Sequence, residues 1–328
     1  MMRAAFYTRQ GAAADVLQVG EQPVPEPGPG EVRVRLRASG VNPSDWKTRQ
    51  GGGNRRMAAP LVIPHSDGAG DIDAVGAGVP PGRIGERVWI WNGQWQRPFG
   101  TAAEYIALPA QQAVPLPAGL DYDEGACLGI PAFTAMQAVR LAGAAPGQQV
   151  LVQGGAGSVG HYAIQMAKAR GATVITTVSS PRKAEHARAA GADHVLDYRT
   201  EDVAARVQQL TGGTGVDTVV EVDLAANAGL YPQLLRPHGR VVVYGTSGLQ
   251  ATLPSVGLMQ KSVALQFFMI YDISPSDRAA CLRELVELLD AGRLRHTIAL
   301  RLPLDQVVRA HEAVEQGAML GNVVLQVA

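Results

Sequence analysis

Apolar and polar positions along this chain follow two different rhythms. Over residues 1 to about 120 the short one dominates. Glu31-Val-Arg-Val-Arg-Leu-Arg37 alternates charged and apolar residues, the period of a strand with one solvated face. Proline and glycine interrupt this region often, from Pro23-Val-Pro-Glu-Pro-Gly-Pro-Gly30 to Val79-Pro-Pro-Gly82, which predicts short strands joined by turns. From about Tyr122 helix and strand alternate. Asp123–Ala144 reads as mainly helical, broken at Pro131. Strands follow at Val150–Val152, Ala172–Val178, His194–Leu196, Asp217–Val222 and Arg240–Tyr244, separated by helices over Ser158–Arg170, Arg182–Ala190, Glu201–Thr211 and about Ala225–Leu235. This order predicts a parallel, doubly wound sheet. Ala264–Ile270 reads as an added edge strand. The tail predicts a helix (Pro275–Ala291), an apolar alternation (His296–Leu302), a second helix (Leu304–Gln316) and a closing strand (Asn322–Val327) that returns to the first region.

One junction in the second region carries chemistry. Val150-Leu-Val-Gln-Gly-Gly155-Ala156-Gly157-Ser158-Val159-Gly160 runs from an apolar strand through a glycine turn into an amphipathic helix. Gly155-x-Gly157-x-x-Gly160 is the spacing that brings a dinucleotide pyrophosphate to a helix N-terminus. The first glycine is expected to permit the tight turn, the second the approach of backbone to phosphate, and the third the packing of helix on strand. The next strand ends at Val178, where an NAD-binding site would carry a carboxylate for the ribose 2′-hydroxyl. Here Ser179-Ser180-Pro181-Arg182-Lys183 follows instead, offering hydroxyls and cations to a 2′-phosphate. NADPH is the cofactor expected. Arg182 and Lys183 would otherwise only solvate a helix start.

Composition narrows the partners. With 328 residues, two domains are expected. Lys+Arg and Asp+Glu number 29 each, and no basic block appears, which speaks against nucleic acid and anionic membrane. Cys127 and Cys281 lie far apart, forming neither a disulfide framework nor a metal knuckle, as suits a reducing, cytoplasmic setting. No stretch approaches the ~20 apolar residues that span a bilayer.

Several short motifs in order resemble one family over essentially the whole chain. They are Ala38-Ser-Gly-Val-Asn42-Pro-Ser-Asp45-Trp46-Lys47, Pro64-His-Ser-Asp67-Gly-Ala-Gly70, Val75-Gly-Ala-Gly-Val79, Gly100-Thr-Ala-Ala-Glu-Tyr105, Thr134-Ala135, and the Gly155 loop. Gly191-Ala-Asp-His-Val-Leu-Asp-Tyr198-Arg199, Gly239-Arg-Val-Val-Val-Tyr-Gly245 and Ala310-His-Glu312 complete the set. The chain resembles the zinc-free, zeta-crystallin-like quinone oxidoreductase branch of the medium-chain dehydrogenases/reductases. The resemblance implies an α/β protein: a GroES-like β-barrel catalytic domain over 1–120, completed by 265–328, and a Rossmann NADPH-binding domain over 121–264. Zinc-dependent relatives hold a catalytic metal with two cysteines and a histidine; by motif position Asn42, Ser66 and Ile130 stand in those places here. The four-cysteine structural lobe is missing too, so no metal is expected.

The resemblance also implies roles. Asn42 is expected to hydrogen-bond near the nicotinamide ribose while capping the turn before Pro43. Thr134 is expected to face the nicotinamide, or else to be a helix N-cap. Ser179, Ser180, Lys183 and Tyr198 would bind the 2′-phosphate, and Gly245-Thr246 would pass beneath the cofactor. Phe267-Phe268-Met269 either lines the nicotinamide end or is an ordinary edge strand. Quinone reductases usually carry tyrosines near Asp45, whereas this chain has Lys47 and Gly53. Lys47 reads equally as a donor to a carbonyl or enolate oxygen and as a solvated loop cation. Trp46, Trp91, Asn92 and Trp95 are candidates for the substrate wall, with barrel packing the alternative for Trp91. His65 reads as structural or as reaching the substrate.

Without zinc, conjugated acceptors are the easier substrates, because hydride adds to a quinone or an enone while charge moves to a remote oxygen. The expectation is an NADPH-dependent reductase of quinones or α,β-unsaturated carbonyls, active as a homodimer. The alternatives are a 2-enoyl thioester reductase and a non-catalytic NADPH-binding sensor.

Overall fold

A computed structural model describes all residues except Asn54, Ala318 and Ala328. The chain separates into two compact units, Met1–Pro131 with His296–Ala328, and Ala132–Arg295. Residues 265–295 thus lie in the second unit, whereas the sequence boundaries assigned them to the first. The physical reason is packing. The helix Pro275–Asp290 buries Cys281, Leu285 and Leu289 and packs on Phe133–Ala142.

In chain order the first unit begins with β1 (Met2–Phe6), β2 (Gln18–Gln22), β3 (Glu31–Val41), β4 (Asp67–Val75), β5 (Arg87–Ile90), β6 (Tyr105–Pro109) and β7 (Ala113–Pro115). The second unit holds β8 (Gln149–Val152), β9 (Thr173–Val178), β10 (His194–Asp197), β11 (Val216–Glu221), β12 (Leu235–Val243) and β13 (Ala264–Phe267). The chain then returns with β14 (Ile298–Pro303) and β15 (Asn322–Gln326).

In the first unit β14-β15-β3-β4-β5-β7 form one sheet, with β6 also paired to β3, and β1 and β2 form a separate ribbon. The alternation in β3 behaves as its pattern predicts: Val32, Val34 and Leu36 are fully buried and pack with Ile72, Val88, Ile90, Ile106 and Leu108. The C-terminal strand β15 adds antiparallel to β3, pairing Val323 with Val41 and Gln326 with Ala38. That pairing, not sequence proximity, makes this unit discontinuous.

The second unit is a six-stranded parallel sheet in the order β10-β9-β8-β11-β12-β13. Strand order reverses between β8 and β11, and ligands of open α/β sheets bind beyond the strands' carboxyl ends at such a point. The single helix expected over Ala225–Leu235 is instead three short turns, Leu224–Asn227, Ala228–Leu230 and Tyr231–Leu234. Pro232 falls inside that span and cannot donate a helical N–H. The break expected at Pro131 takes the form of a π-helical turn, Leu128–Ala132, that precedes the helix Phe133–Ala142.

Candidate active site

The glycine loop sits at the switch point, between β8 and the helix Ser158–Ala169. Its glycines divide the work differently from the sequence expectation. The left-handed residue is Gly154, at φ 69°, so the tight turn falls there and not on Gly155. Gly155 is needed for closeness: a Cβ on it would lie 2.0 Å from Thr176 Oγ1 and 2.7 Å from Ile164 Cδ1. Gly160 instead crowds backbone, its Cβ position 2.3 Å from Gly154 O. Gly157 caps the helix in extended conformation, and a Cβ there would meet only Gly154 O, at 3.4 Å. Ala156 is buried, while Gly157, Ser158 and Val159 keep exposed surface at the helix start. The Gly157 N–H donates to Gly154 O at 3.0 Å, and the helix that starts at Ser158 directs its N-terminal dipole end outward from this loop.

Parallel register carries the other cofactor candidates to the same edge. Val178 pairs with Asp197, which places Ser179 and Tyr198 side by side just past β9 and β10. The Tyr198 N–H bonds to Val178 O at 3.1 Å, and its ring is exposed. Ser180 caps the helix Pro181–Ala189 by accepting from the Lys183 N–H, and Lys183 Nζ donates to Ser179 Oγ at 3.1 Å. Among the described residues, two hydroxyls and a cation are thereby grouped with no carboxylate among their hydrogen-bond partners. Past β12, Gly245 packs against the end of β11, its Cβ position 2.2 Å from Val222 O, and Thr246 Oγ1 donates to Gly248 O. Glu221 holds that turn, accepting from the Asp223 N–H, Asn227 and Tyr231. Phe267 and Met269 are exposed and Phe268 half-buried at the sheet's edge. Thr134 is buried within the helix Phe133–Ala142, where Ala132 is the N-cap, so an N-capping role falls away.

In the first unit the Asn42 segment is a helix, Pro43–Gln50, and not the loop assumed for Lys47. The sequence carried the signal: Asn42 at the cap, Pro43 at the first position, Asp45 at the third. The Asn42 N–H donates to Asp45 Oδ2 at 2.7 Å. The Asn42 side chain turns elsewhere, its Nδ2 donating to Asp67 Oδ2 at 2.7 Å, where the Ile130 N–H also donates at 3.0 Å. Burial pushes the Asp45 carboxyl up to about 7, with its bond to Asn42 opposing. It pushes Asp67 up as well, with the Asp45 charge adding to the rise. Lys47 and Trp46 are half-buried, the Lys47 ammonium 5.8 Å from the Trp46 ring centre.

The helix is anchored by Arg49, fully buried, which donates to Gly11 O at 2.7 Å and pairs with Glu315 at 2.9 Å. His65, at φ 76°, is fully buried, its Nδ1 2.9 Å from Ser39 Oγ and its Nε2 2.9 Å from His311 Nε2. It is therefore structural, holding β3 to the helix Val307–Gln316. Of the substrate-wall candidates, Trp91 and Asn92 are buried and Trp95 is half-buried. Asn42, Ser66 and Ile130 supply an amide, a hydroxyl and an aliphatic chain where a zinc site would need three thiolate or imidazole ligands, so the residues do not fit that metal. Among the described residues no group of three His, Cys, Asp or Glu could hold a metal ion. Asp45, Asp67, Arg49, His311 and Gly154 were not picked out from sequence. Only Asp45, through its capping spacing, had a local signal.

Comparison with known proteins follows the same division. Residues 28–118 match the alcohol dehydrogenase GroES-like domain, and 158–290 match the domain described as zinc-binding dehydrogenase. The chain is 33% identical to the quinone oxidoreductase of Pseudomonas aeruginosa over 321 residues, covering 95% of each protein. Among solved structures, an NAD-dependent alcohol dehydrogenase superposes with a TM-score of 0.91 at 32% identity, covering 100% of both chains. A mycobacterial protein complexed with NADPH gives 0.88 at 30% identity, again over 100% of both chains.

Proposed function

Because this chain belongs to the medium-chain dehydrogenase/reductase family, on its quinone oxidoreductase branch, we propose that it reduces a quinone or an α,β-unsaturated carbonyl with NADPH and without zinc. The observation that carries this reading is the donor set around Asn42. Where zinc-dependent relatives bind a Lewis acid, this chain has an amide clamped to a carboxyl group. A simple ketone loses its activation in such a site, whereas a conjugated acceptor delocalises the incoming charge by itself.

NADPH supplies the hydride when bound. The chain's residues do the rest. The loop Gly154–Gly160 and the helix start at Ser158 take the pyrophosphate, and Ser179, Ser180, Lys183 and Tyr198 the 2′-phosphate. The absence of an acid after Val178 favours NADPH over the NAD of one structural neighbour. Gly245 and Thr246 pass beneath the cofactor. Thr134, Phe267, Phe268 and Met269 attend the nicotinamide, and Asn42 its ribose. Trp46, Trp91, Asn92 and Trp95 form the acceptor's wall. Lys47 donates a proton or hydrogen bond to the oxygen that gains charge, so the acceptor takes up one hydride and one proton in each turnover.

The assembly we propose is a homodimer in the cytoplasm. Phe267 and Met269 on β13, with Val256 and Met259 on the preceding helix Ser255–Gln260, expose apolar surface beside an edge strand paired on one side only. A second copy of the chain suits that face.

The deciding experiment is oxidation of NADPH, against NADH, with 1,4-benzoquinone, 9,10-phenanthrenequinone, an alkenal and crotonyl-CoA. Turnover of the quinone or alkenal is expected. Tight NADPH binding with no oxidation across the panel would overturn the reductase and favour a sensor, and turnover of crotonyl-CoA alone would favour the thioester reductase.

A further inference from the structure

Asp67 is fully buried, and its two carboxyl oxygens are treated unequally. Both hydrogen bonds converge on Oδ2, from Asn42 Nδ2 at 2.7 Å and from the Ile130 N–H at 3.0 Å, while Oδ1 has no partner. Among the described residues Asp67 makes no ion pair. The titratable groups nearest in charge are the Asp45 carboxyl and the buried Cys127 thiol, neither of them a cation. An ionised carboxylate has two equivalent oxygens, and leaving one bare and dry costs several kcal/mol (order of magnitude). A protonated one has an acceptor oxygen and a donor oxygen, which is the asymmetry seen here. The donor would have somewhere to go. A methyl placed on Gly129 would lie 2.3 Å from Asp67 Oδ1 and 2.5 Å from Ile90 O, so both oxygens face the same spot beside Gly129.

We propose that Asp67 is held as a neutral carboxylic acid, Oδ2 accepting and Oδ1–H directed at Ile90 O, and that it is the positioning residue for Asn42. The polarity follows from the backbone. Ile130 can only donate, so Oδ2 is the acceptor and the atom Asn42 brings to it must be its NH2 group. The amide of Asn42 is thus fixed in orientation, its NH2 group toward Asp67 and its carbonyl oxygen toward the first turn of its own helix. Burial raises the Asp67 pKa in the same sense. A neutral acid also avoids placing a fixed anion behind Asn42, where it would oppose the negative charge developing on the acceptor oxygen; this last point rests on the reductase reading.

Asparagine is the isostere of a neutral aspartic acid in this arrangement, its carbonyl replacing Oδ2 and its NH2 group replacing Oδ1–H. Asp67→Asn is therefore expected to keep kcat and the KM for NADPH within about threefold of the parent, whereas Asp67→Leu, similar in size but without the acceptor, is expected to lose about tenfold or more in kcat/KM. Independently of activity, the infrared spectrum of protein labelled with ¹³C-aspartate at neutral pH should contain a protonated-carboxyl band that is missing from Asp67→Asn. Absence of that band, with Asp67→Asn falling as far as Asp67→Leu, would overturn the proposal. If the band is present but Asp67→Leu and Asn42→Ala both leave NADPH kinetics unchanged, protonation stands and positioning is overturned. The infrared arm reads the parent protein, so a variant that fails to fold does not decide the question.

Discussion

The glycine loop and the Asn42 cluster are built on opposite principles. The loop's parts are consecutive: Gly154, Gly155, Gly157 and Gly160 fall within seven residues, with Gly154 required by its left-handed backbone and Gly155 and Gly160 by close contacts at the strand–helix junction and β9. The cluster's parts come from positions 42, 67 and 130, brought together by a helix cap, the start of β4 and a π-helical turn. The loop's proposed binding would use backbone donors whose placement depends on having no side chain. The cluster depends on which polar side chain faces which, in a place without water. Damage to the loop should therefore be local and steric, while damage to the cluster should be electrostatic and felt at a distance.

The largest effect expected is at the loop. In Gly160→Val the new Cβ would stand 2.3 Å from Gly154 O, a backbone atom that cannot rotate away. The dissociation constant for NADPH should rise about 100-fold, the equivalent of about 2.7 kcal/mol, as read by titration calorimetry. Retained affinity would break the contrast at its root. Lys47→Met should lower kcat by about 100-fold with NADPH affinity unchanged, because it removes a proton or hydrogen-bond donor and leaves the loop intact; an unaltered kcat would return Lys47 to the role of a solvated cation. Next comes Lys183→Ala, expected to reduce the preference for NADPH over NADH about tenfold by removing one charge-assisted bond. An unchanged ratio of kcat/KM values would place the 2′-phosphate elsewhere.

The smallest effect concerns the buried histidines behind the cluster. Burial holds His65 down to about 3 and lowers His311 below its ordinary range, with the charge of Arg49 and the neighbouring His65 adding to the shift. The unfolded chain takes up protons near pH 6.5 and the folded one does not, so stability falls as pH drops from about 6.5 toward 3. His65→Gly, tolerated by the backbone at φ 76°, should flatten that acid limb in a plot of melting temperature against pH. An unchanged limb would assign acid sensitivity to other groups. Asp45, raised to about 7, acts in the opposite direction, since the folded state binds its proton more tightly and stability declines as pH rises from about 4 to 7.

Much of the second unit was legible because its code is local. Apolar runs at β8, β9, β11 and β12, a glycine turn and a missing acid after Val178 can all be read within windows of a few residues. Even there, which glycine makes the turn was not readable. Gly154 and Gly155 are adjacent and chemically identical, and only the packing of Thr176 and Ile164 against Gly155 distinguishes them. The helix at Pro43–Gln50 was encoded by its cap but disguised by low apolar content and the glycines that follow it. The placement of Pro275–Asp290 turned on which surface its buried face meets, and sequence does not state that.

By itself the sequence determined the strand–turn–helix junction, the presence of hydroxyls and cations in place of an acid after β9, the β-rich character of the first unit and the lack of zinc ligands at the motif positions. These follow from residue types at short spacing, where backbone geometry leaves few choices. Only the tertiary structure decided that Asn42 answers to Asp67, that His65 answers to His311, and that Arg49 is buried against Glu315. Each of those pairs spans from 25 to 266 residues of chain, and the energy of each comes from the exclusion of water, which exists only once the fold has closed around it.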